Sequence, residues 1–326
     1  MTSSITDIDG PVLMRAVTQQ TFGGPEVLQI SDVPKPVPLP TEVLVRVRAA
    51  SVNPVDWKTR EGSGMAHVLG APPFVLGWDV AGVVEAVGWG VSTLAVGDEV
   101  YGMPWFPRAA GGYSEYVTAP ARQFARKPVS VTSEEAAAVP LAALTAWQAL
   151  VDTAKVATGQ RVLITAAAGG VGHFAVQFAR LLGAHVIATA STRNHEWLTG
   201  LGAETVIDYT QVRFEDQVQD IDVVIDLVGG DTGLRSLRTL RPGGLLVAIP
   251  GGVSPELRAA ADAQAKNVTE FLVEPDGAAL TRIGAHIDAG EVHIEIDQIL
   301  PLDAVGKAHE LVAAGHTRGK VVLRVS

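Results

Sequence analysis

Arg161-Val-Leu-Ile-Thr-Ala-Ala-Ala-Gly-Gly-Val-Gly172 decides the fold. A short apolar run, Arg161–Ala166, passes into a loop of small residues and then into a segment of helical period. Ala167, Gly169 and Gly172 fit the three small-residue positions of a dinucleotide fingerprint. Gly169 lets the backbone approach a pyrophosphate, and Gly172 lets the following helix pack close on the strand. Ala168, Gly170 and Val171 complete a loop whose free N–H groups and helix N-terminus favour phosphate. A tight turn without a ligand would use the same glycines. The position of the loop, at the first crossover of a strand–helix series, favours the nucleotide.

Working outward, strand candidates follow at His185–Ala190, Thr205–Tyr209, Asp222–Val228, Gly244–Ile249 and Val268–Val273. Their spacing of roughly 17 to 24 residues predicts βαβ units in a doubly wound parallel sheet of the Rossmann kind. Runs such as Val-Val-Ile-Asp-Leu-Val are apolar on both faces, as strands covered by helices on both sides must be. Ser133-Glu134-Glu135 opens a helical stretch that runs through Val151, with a cap residue and acids in its first turn. On the N-terminal side, Arg15–Gln20, Val43–Ala49, Val80–Val87, Glu99–Gly102 and Tyr113–Thr118 read as strands separated by Gly- and Pro-rich turns. They predict a mostly β, partly open barrel. Beyond 275, helices near Gly277–Ala289 and Asp303–Ala314 precede a closing strand, Lys320–Val325. Three units are expected: a mobile tail over 1–13, a first domain over 14–130 completed by 276–326, and a nucleotide domain over 131–275.

The 326 residues are 47% hydrophobic and 18% charged, enough to bury a full core. A net charge of −10 argues against nucleic acid or an anionic membrane as the main partner. With no cysteine, disulfides, thiolate nucleophiles and Cys-ligated metals are excluded, and a reducing, cytoplasmic setting is expected. No apolar run approaches the ~18 residues of a spanning helix. Met1–Gly10 holds Asp7 and Asp9 and no basic residue, unlike a secretory leader.

An NAD site places an acid about 20 residues beyond the motif. Here the chain reads Ala190-Ser191-Thr192-Arg193-Asn194, with no acid before Glu196. Ser191 and Arg193 offer a hydroxyl and a guanidinium fork to a 2′-phosphate, so NADP(H) is the expected cofactor. Tyr209 flanks the same phosphate or packs as an ordinary strand tyrosine.

The chain resembles the medium-chain dehydrogenase/reductase superfamily in its zinc-free, zeta-crystallin-like NADPH:quinone oxidoreductase branch. The resemblance runs from Met14 to Val325. It is carried by Ser51-Val52-Asn53-Pro54-Val55-Asp56-Trp57-Lys58, Gly77-Trp78-Asp79-Val80-Ala81-Gly82-Val83-Val84, Leu144-Thr145-Ala146, the glycine loop, and Gly319-Lys320-Val321-Val322-Leu323. It implies a GroES-like barrel domain beside the Rossmann sheet. Zinc-dependent members carry Cys where Asn53 stands and His where Trp78 stands, so no metal is expected. Without a Lewis acid, alcohol oxidation is a poor fit. Hydride transfer from NADPH to a quinone or an α,β-unsaturated ketone or aldehyde is the better one.

The resemblance also places site residues. Asn53, Asp56 and Lys58 stand beside the nicotinamide as catalytic candidates, Asp56 more as a structural acid than a base, and Lys58 as an enolate-stabilising cation or a solvent lysine. Thr145 approaches the cofactor or is a helix-interior Thr bonded to its own backbone, Lys320 approaches the cofactor or is a surface lysine, and Arg318 is an alternative phosphate contact. Trp57, Met65, Trp105, Phe106 and Tyr113 are candidates for an apolar substrate slot, with Tyr113 a possible proton donor. The run Val268–Val273 would be a bare sheet edge if unpaired, and the family often pairs it across a two-fold axis, so a homodimer is expected. Two alternatives share this fold: a non-catalytic NADPH sensor and an enoyl-thioester reductase.

Overall fold

The computed structural model describes residues 11–326. Most of the expected tail, Met1–Gly10, lies outside the described residues, and Leu13 already opens a strand, Leu13–Gln19.

Six parallel strands form the sheet announced by the glycine loop. Their spatial order is Thr205–Ile207, His185–Thr189, Arg161–Ile164, Ile221–Asp226, Leu240–Ala248 and Asn267–Glu270. Arg161–Ile164 sits at the centre, and the chain continues first to one side and then to the other. A crevice therefore opens at the carboxyl ends of Arg161–Ile164 and Ile221–Asp226, where such sheets bind ligands. Val162, Leu163, Ile164, Val224 and Ile225 are all buried, because helices cover both faces. The helix Gly172–Leu181 buries Phe174 and Phe178, and Phe178 meets Trp147 edge to face at 5.3 Å. Each such ring contributes about 1.5–3 kcal/mol by burial.

The second assembly is a seven-stranded sheet built on the 11-residue strand Glu42–Val52. One edge pairs with Asp79–Val87. The other edge is shared: Tyr116–Pro120 takes its first half and Lys320–Arg324 its second. The end of the chain thus returns to the first segment, and Val321 lies opposite Val52. This return brings Lys320 next to Asn53.

Several elements differ from expectation. The strand expected at Tyr113–Thr118 is Tyr116–Pro120, because Tyr113 spends its backbone on Leu76 and Val17 outside that sheet. The expected single helix from Ser133 to Val151 is two helices, Ser133–Ala137 and Pro140–Trp147, followed by a π-helical turn. Pro140 cannot continue the first helix but suits the first turn of the second. The strand expected over Val268–Val273 is only Asn267–Glu270, and Phe271 to Val273 turn into the crevice. The strands Leu28–Pro34 and Ile296–Pro301 and the helix Pro54–Arg60 were not anticipated. The two strands are only half-buried and carry little apolar pattern.

Glu215 gives the fold a measurable acid sensitivity. Its buried carboxylate receives Arg235 Nε and Nη2 at 2.9 and 2.8 Å and Arg213 Nε at 3.0 Å. The Arg235 bonds above all hold its carboxyl down to about 2. A carboxyl whose pKa is depressed by folding stabilises fully above its unfolded value and less as pH falls toward its folded one. Glu215→Gln should therefore lower the Tm at neutral pH, with the gap to the parent closing between about pH 4.5 and about pH 2. A gap independent of pH in thermal melts would refute this.

Candidate active site

The crevice holds a cleft of about 450 Å3 between the glycine loop, the Asn53–Lys58 segment and the strand end at Lys320. That is within the range of small-ligand sites. Its phosphate side is the loop itself. An added Cβ at Gly172 would lie 2.5 Å from Ala166 O and 2.6 Å from Ala167 Cα, so only glycine lets the helix start there. At Gly170 an added Cβ would meet the Lys320 stem at 2.9 Å, whereas at Gly169 it would meet only Ala166 O at 3.3 Å. The buried His173 ring bridges Gly169 O, at 3.0 Å from Nδ1, and the Glu295 N–H at Nε2. Burial, with the Lys320 charge adding to it, holds this imidazole neutral with a pKa of about 4. Thr165 Oγ1 and the Asp226 carboxylate fix the next strand end by binding each other and the N–H groups of Leu227 to Gly229.

Opposite the loop lies a buried polar floor. Asp79, fully buried, accepts from Ser51 Oγ (2.7 Å), Asn53 Nδ2 (2.8 Å) and Leu141 N (2.7 Å). Lys320 Nζ donates to Val52 O at 3.2 Å and to Asn53 Oδ1, and stands 3.5 Å from Asp79 Oδ2. Asn53 lines the cleft, but its carboxamide is engaged on both sides, so it braces Lys320 against Asp79. Asp56 is fully buried and absent from the cleft wall. It accepts Asn53 N–H at 2.6 Å, and burial pushes its carboxyl up to about 7. It anchors the start of the Pro54–Arg60 helix and does not meet a ligand. Lys58 does line the cleft, its ammonium 5.6 Å from the Trp57 ring. Thr145 lines it too, with its hydroxyl bonded back to Leu141 O at 2.7 Å.

The apolar wall corrects several expectations. Phe106 belongs to it, edge-on to Trp78 at 5.4 Å, and so does Met65. Trp57, Trp105 and Tyr113 do not. Trp105 donates its indole N–H to Thr118 O at 2.7 Å and lines a separate cavity of about 200 Å3. Tyr113 has no exposure. Its ring meets His309 at 5.7 Å, burial raises its hydroxyl pKa well above the ordinary value, and the side chain lies off the cleft wall, away from any ligand there. The size of these aromatics singled them out, and size is equally a core property. Leu141, Ile249, Phe271 and Leu272 supply the wall instead.

The residues expected at the 2′-phosphate lie beyond the cleft, on the loops after the second and third parallel strands. Ser191 precedes the turn Thr192–Asn194, Arg193 Nη2 donates to His316 O at 2.7 Å, and Tyr209 is exposed. Asp208 joins the two loops. It accepts both N–H and hydroxyl from Thr192 and from Thr210, and these bonds, the hydroxyls foremost, drive its pKa far down. Arg318 pairs with Glu295 and lies over Trp197 at 5.0 Å.

Comparison with known proteins agrees with this geometry. Residues 39–129 match the alcohol dehydrogenase GroES-like domain family, and residues 201–323 match the zinc-binding dehydrogenase family. A 2-methylene-furan-3-one reductase of Solanum lycopersicum is 36% identical over 98% of this chain and 81% of its own length. The chain belongs to the medium-chain dehydrogenase/reductase superfamily, in its quinone oxidoreductase branch. An NADPH-dependent alkenal/one oxidoreductase of Arabidopsis thaliana is 35% identical over 97% of this chain and 81% of its own. A quinone oxidoreductase from Coxiella burnetii superposes with a TM-score of 0.91 at 38% identity, covering 97% of this chain and all of that one.

This medium-chain reductase is an oxidoreductase with the Rossmann and GroES-like architecture of its relatives. Where the resemblance places metal ligands in zinc members, Asn53 is bound to Asp79 and Lys320, and Trp78 gives its N–H to Arg108 O at 2.7 Å. Among the described residues no group of three His, Cys, Asp or Glu is arranged to hold a metal. Asp79, His173, Asp208 and Asp226 were missed in the sequence. Asp79 stood inside a quoted motif, but nothing local signalled that a lysine 241 positions later would meet it.

Gly172→Ala should cost several degrees of Tm and abolish nucleotide binding, since its neighbours are backbone. Gly169→Ala should leave the Tm nearly unchanged, having one looser contact. Equal Tm losses for the two in thermal melts would refute this account of the loop.

Proposed function

We propose that the protein is a zinc-independent reductase that uses NADPH to reduce quinones or α,β-unsaturated ketones and aldehydes within this cleft. The observation carrying the reading is the combination, on one cleft, of a phosphate-shaped glycine loop, an apolar wall and two lysines. The residues fit the cofactor: the N–H groups of Gly169 to Gly172 and the helix behind them suit a pyrophosphate, and Ser191, Arg193 and Tyr209 flank a 2′-phosphate. The bound nicotinamide supplies a hydride. The chain positions the acceptor against Met65, Phe106, Leu141 and Phe271, which exclude water. Lys58 sets a positive charge on the wall toward the oxygen that gains charge.

The domain division belongs to the same reading, with 14–130 and 276–326 as the catalytic GroES-like domain and 131–275 as the NADP-binding domain. The pairing of Lys320–Arg324 with Glu42–Val52 supports it. Asn267–Glu270 is the last strand of its sheet, with no partner on its outer edge among the described residues, which supports a homodimer through that edge. The acidic balance and lack of cysteine support a cytoplasmic location.

Loss of NADPH absorbance with a benzoquinone, a naphthoquinone, a short enone, an alkenal and an enoyl thioester tests the reading. Turnover of quinone or enone is expected, faster with NADPH than with NADH. Tight NADPH binding with no turnover would favour a sensor, and turnover of the thioester alone an enoyl-thioester reductase. Arg193→Ala should weaken NADPH roughly ten- to 150-fold, from a charge-assisted contact of ~1.5–3 kcal/mol, and NADH much less. Equal loss in fluorescence titrations would reject the phosphate assignment. Lys58→Ala should lower kcat roughly tenfold with NADPH affinity kept, less than a buried oxyanion donor is worth because Lys58 is half-exposed. An unchanged kcat would return Lys58 to the surface.

A further inference from the structure

We propose that Lys320 is not a cofactor contact but the fixed cation of the reaction site, held by Asp79 and Asn53 so that its ammonium meets the oxygen on which the acceptor's electron pair collects. The proposal rests on the reductase reading above. Hydride addition to an enone or quinone carbon leaves the displaced electron pair on oxygen, and a proton from water completes the product. Lys320 keeps its protons throughout and supplies charge alone.

Three observations carry the proposal. The first is direction. The Lys320 stem passes so close to the glycine loop that a Cβ on Gly170 would touch its Cδ at 2.9 Å. Its head then continues past the loop, and its acceptors, Val52 O, Asn53 Oδ1 and Asp79 Oδ2, all belong to the opposite wall. A lysine placed for the pyrophosphate would keep its head at the loop.

The second is burial. Lys320 is 3% exposed yet lines the cleft, whereas Lys58 is half-exposed. A charge in a low-dielectric setting acts far more strongly on a developing oxyanion than one in water. A buried ammonium is retained only with paired acceptors, and here Asp79 and Asn53 provide them. Burial lowers the Lys320 pKa, while the Asp79 and Asp56 carboxylates favour its charged form.

The third is a donor held in reserve. Of the three acceptors, Asp79 Oδ2 is the distant one at 3.5 Å, and that oxygen already takes Ser51 Oγ and Asn53 Nδ2. Two Lys320 protons are well placed, and the third has only this long contact, which a nearer oxyanion would displace. Asp79 is then a positioning residue: it fixes the head through Asn53 without touching the ligand.

The test starts from wild-type turnover on the acceptor panel, which judges the reductase reading by itself. Lys320→Met alone leaves Asp79 as a buried, uncompensated charge and is expected to be unstable, so the informative variant is Lys320→Met with Asp79→Asn. Folding is followed by Tm and NADPH affinity by fluorescence titration. We expect kcat to fall about 100-fold or more with the NADPH Kd within about threefold of the parent. A kcat kept within about threefold, or a Kd raised tenfold with kcat kept, overturns the proposal; the second outcome makes Lys320 a cofactor contact. A readout on the cofactor-free parent covers an inactive wild type or a double variant that fails to fold. The Lys320 side-chain 15N signal should be that of a slowly exchanging ammonium at neutral pH, assigned by its loss in Lys320→Arg, and should move when a cyclic enone is added. A missing or unmoved signal overturns the proposal.

Discussion

Asp79 has no exposure, so the protein alone must answer its carboxylate, and much of the site is the answer. The donors come from three separate parts of the chain: Ser51 and Asn53 from the end of the long central strand, Leu141 from the helix that enters the nucleotide domain, and Lys320 from the last strand. A buried carboxylate missing one of these would carry a desolvation cost of several kcal/mol. The first segment, the interdomain helix and the chain end are therefore held to one geometry by a single side chain. That the three meet at the cleft means the fold is most tightly specified where the chemistry needs the least play.

The parallel sheet imposes the second constraint. Its order turns at Arg161–Ile164, which leaves a crevice at the strand ends, and the small residues of the loop keep it open. Lys320 links the two constraints. Its stem lies on the loop and its head on the polar floor, so a displacement of either side of the cleft shifts this buried cation.

The parts legible in the sequence were those whose physics is local. The glycine loop, the alternating strands and the missing acid near Ser191 can each be read within a few residues. The aromatic wall could not, because Trp105, Phe106 and Tyr113 look alike in sequence and differ only in what packs on them. Phe106 reaches the cleft, Tyr113 is sealed against His309, and Trp105 turns to Thr118. Asp56 shows the same limit. Grouped with the catalytic candidates but read as more structural than basic, it holds the Asn53 N–H at the start of the Pro54–Arg60 helix, a contact its position in sequence did not specify. Lys320 was singled out through its resemblance to a known position, yet its partners lie so far back in the chain that only the return of the last strand brings them together.

The two ends of the cofactor site obey different electrostatics. At the adenosine end Asp208 stands at the end of the third strand, where an acid would ordinarily raise the question of ribose binding. Its carboxylate offers about four lone-pair sites, and two N–H groups and two hydroxyls of Thr192 and Thr210 fill them. Nothing remains for a ribose diol. The acid serves instead to staple the loop of Ser191 and Arg193 to that of Tyr209, and the exposed guanidinium sets the sign of the surface there. At the other end Lys320 and Asp79 are buried and paired, and the position of the lysine head follows from Asp79. On the function proposed above, cofactor choice is written on the surface, where substitution costs little stability, while the reacting end is written into the core. The first can change without disturbing the second.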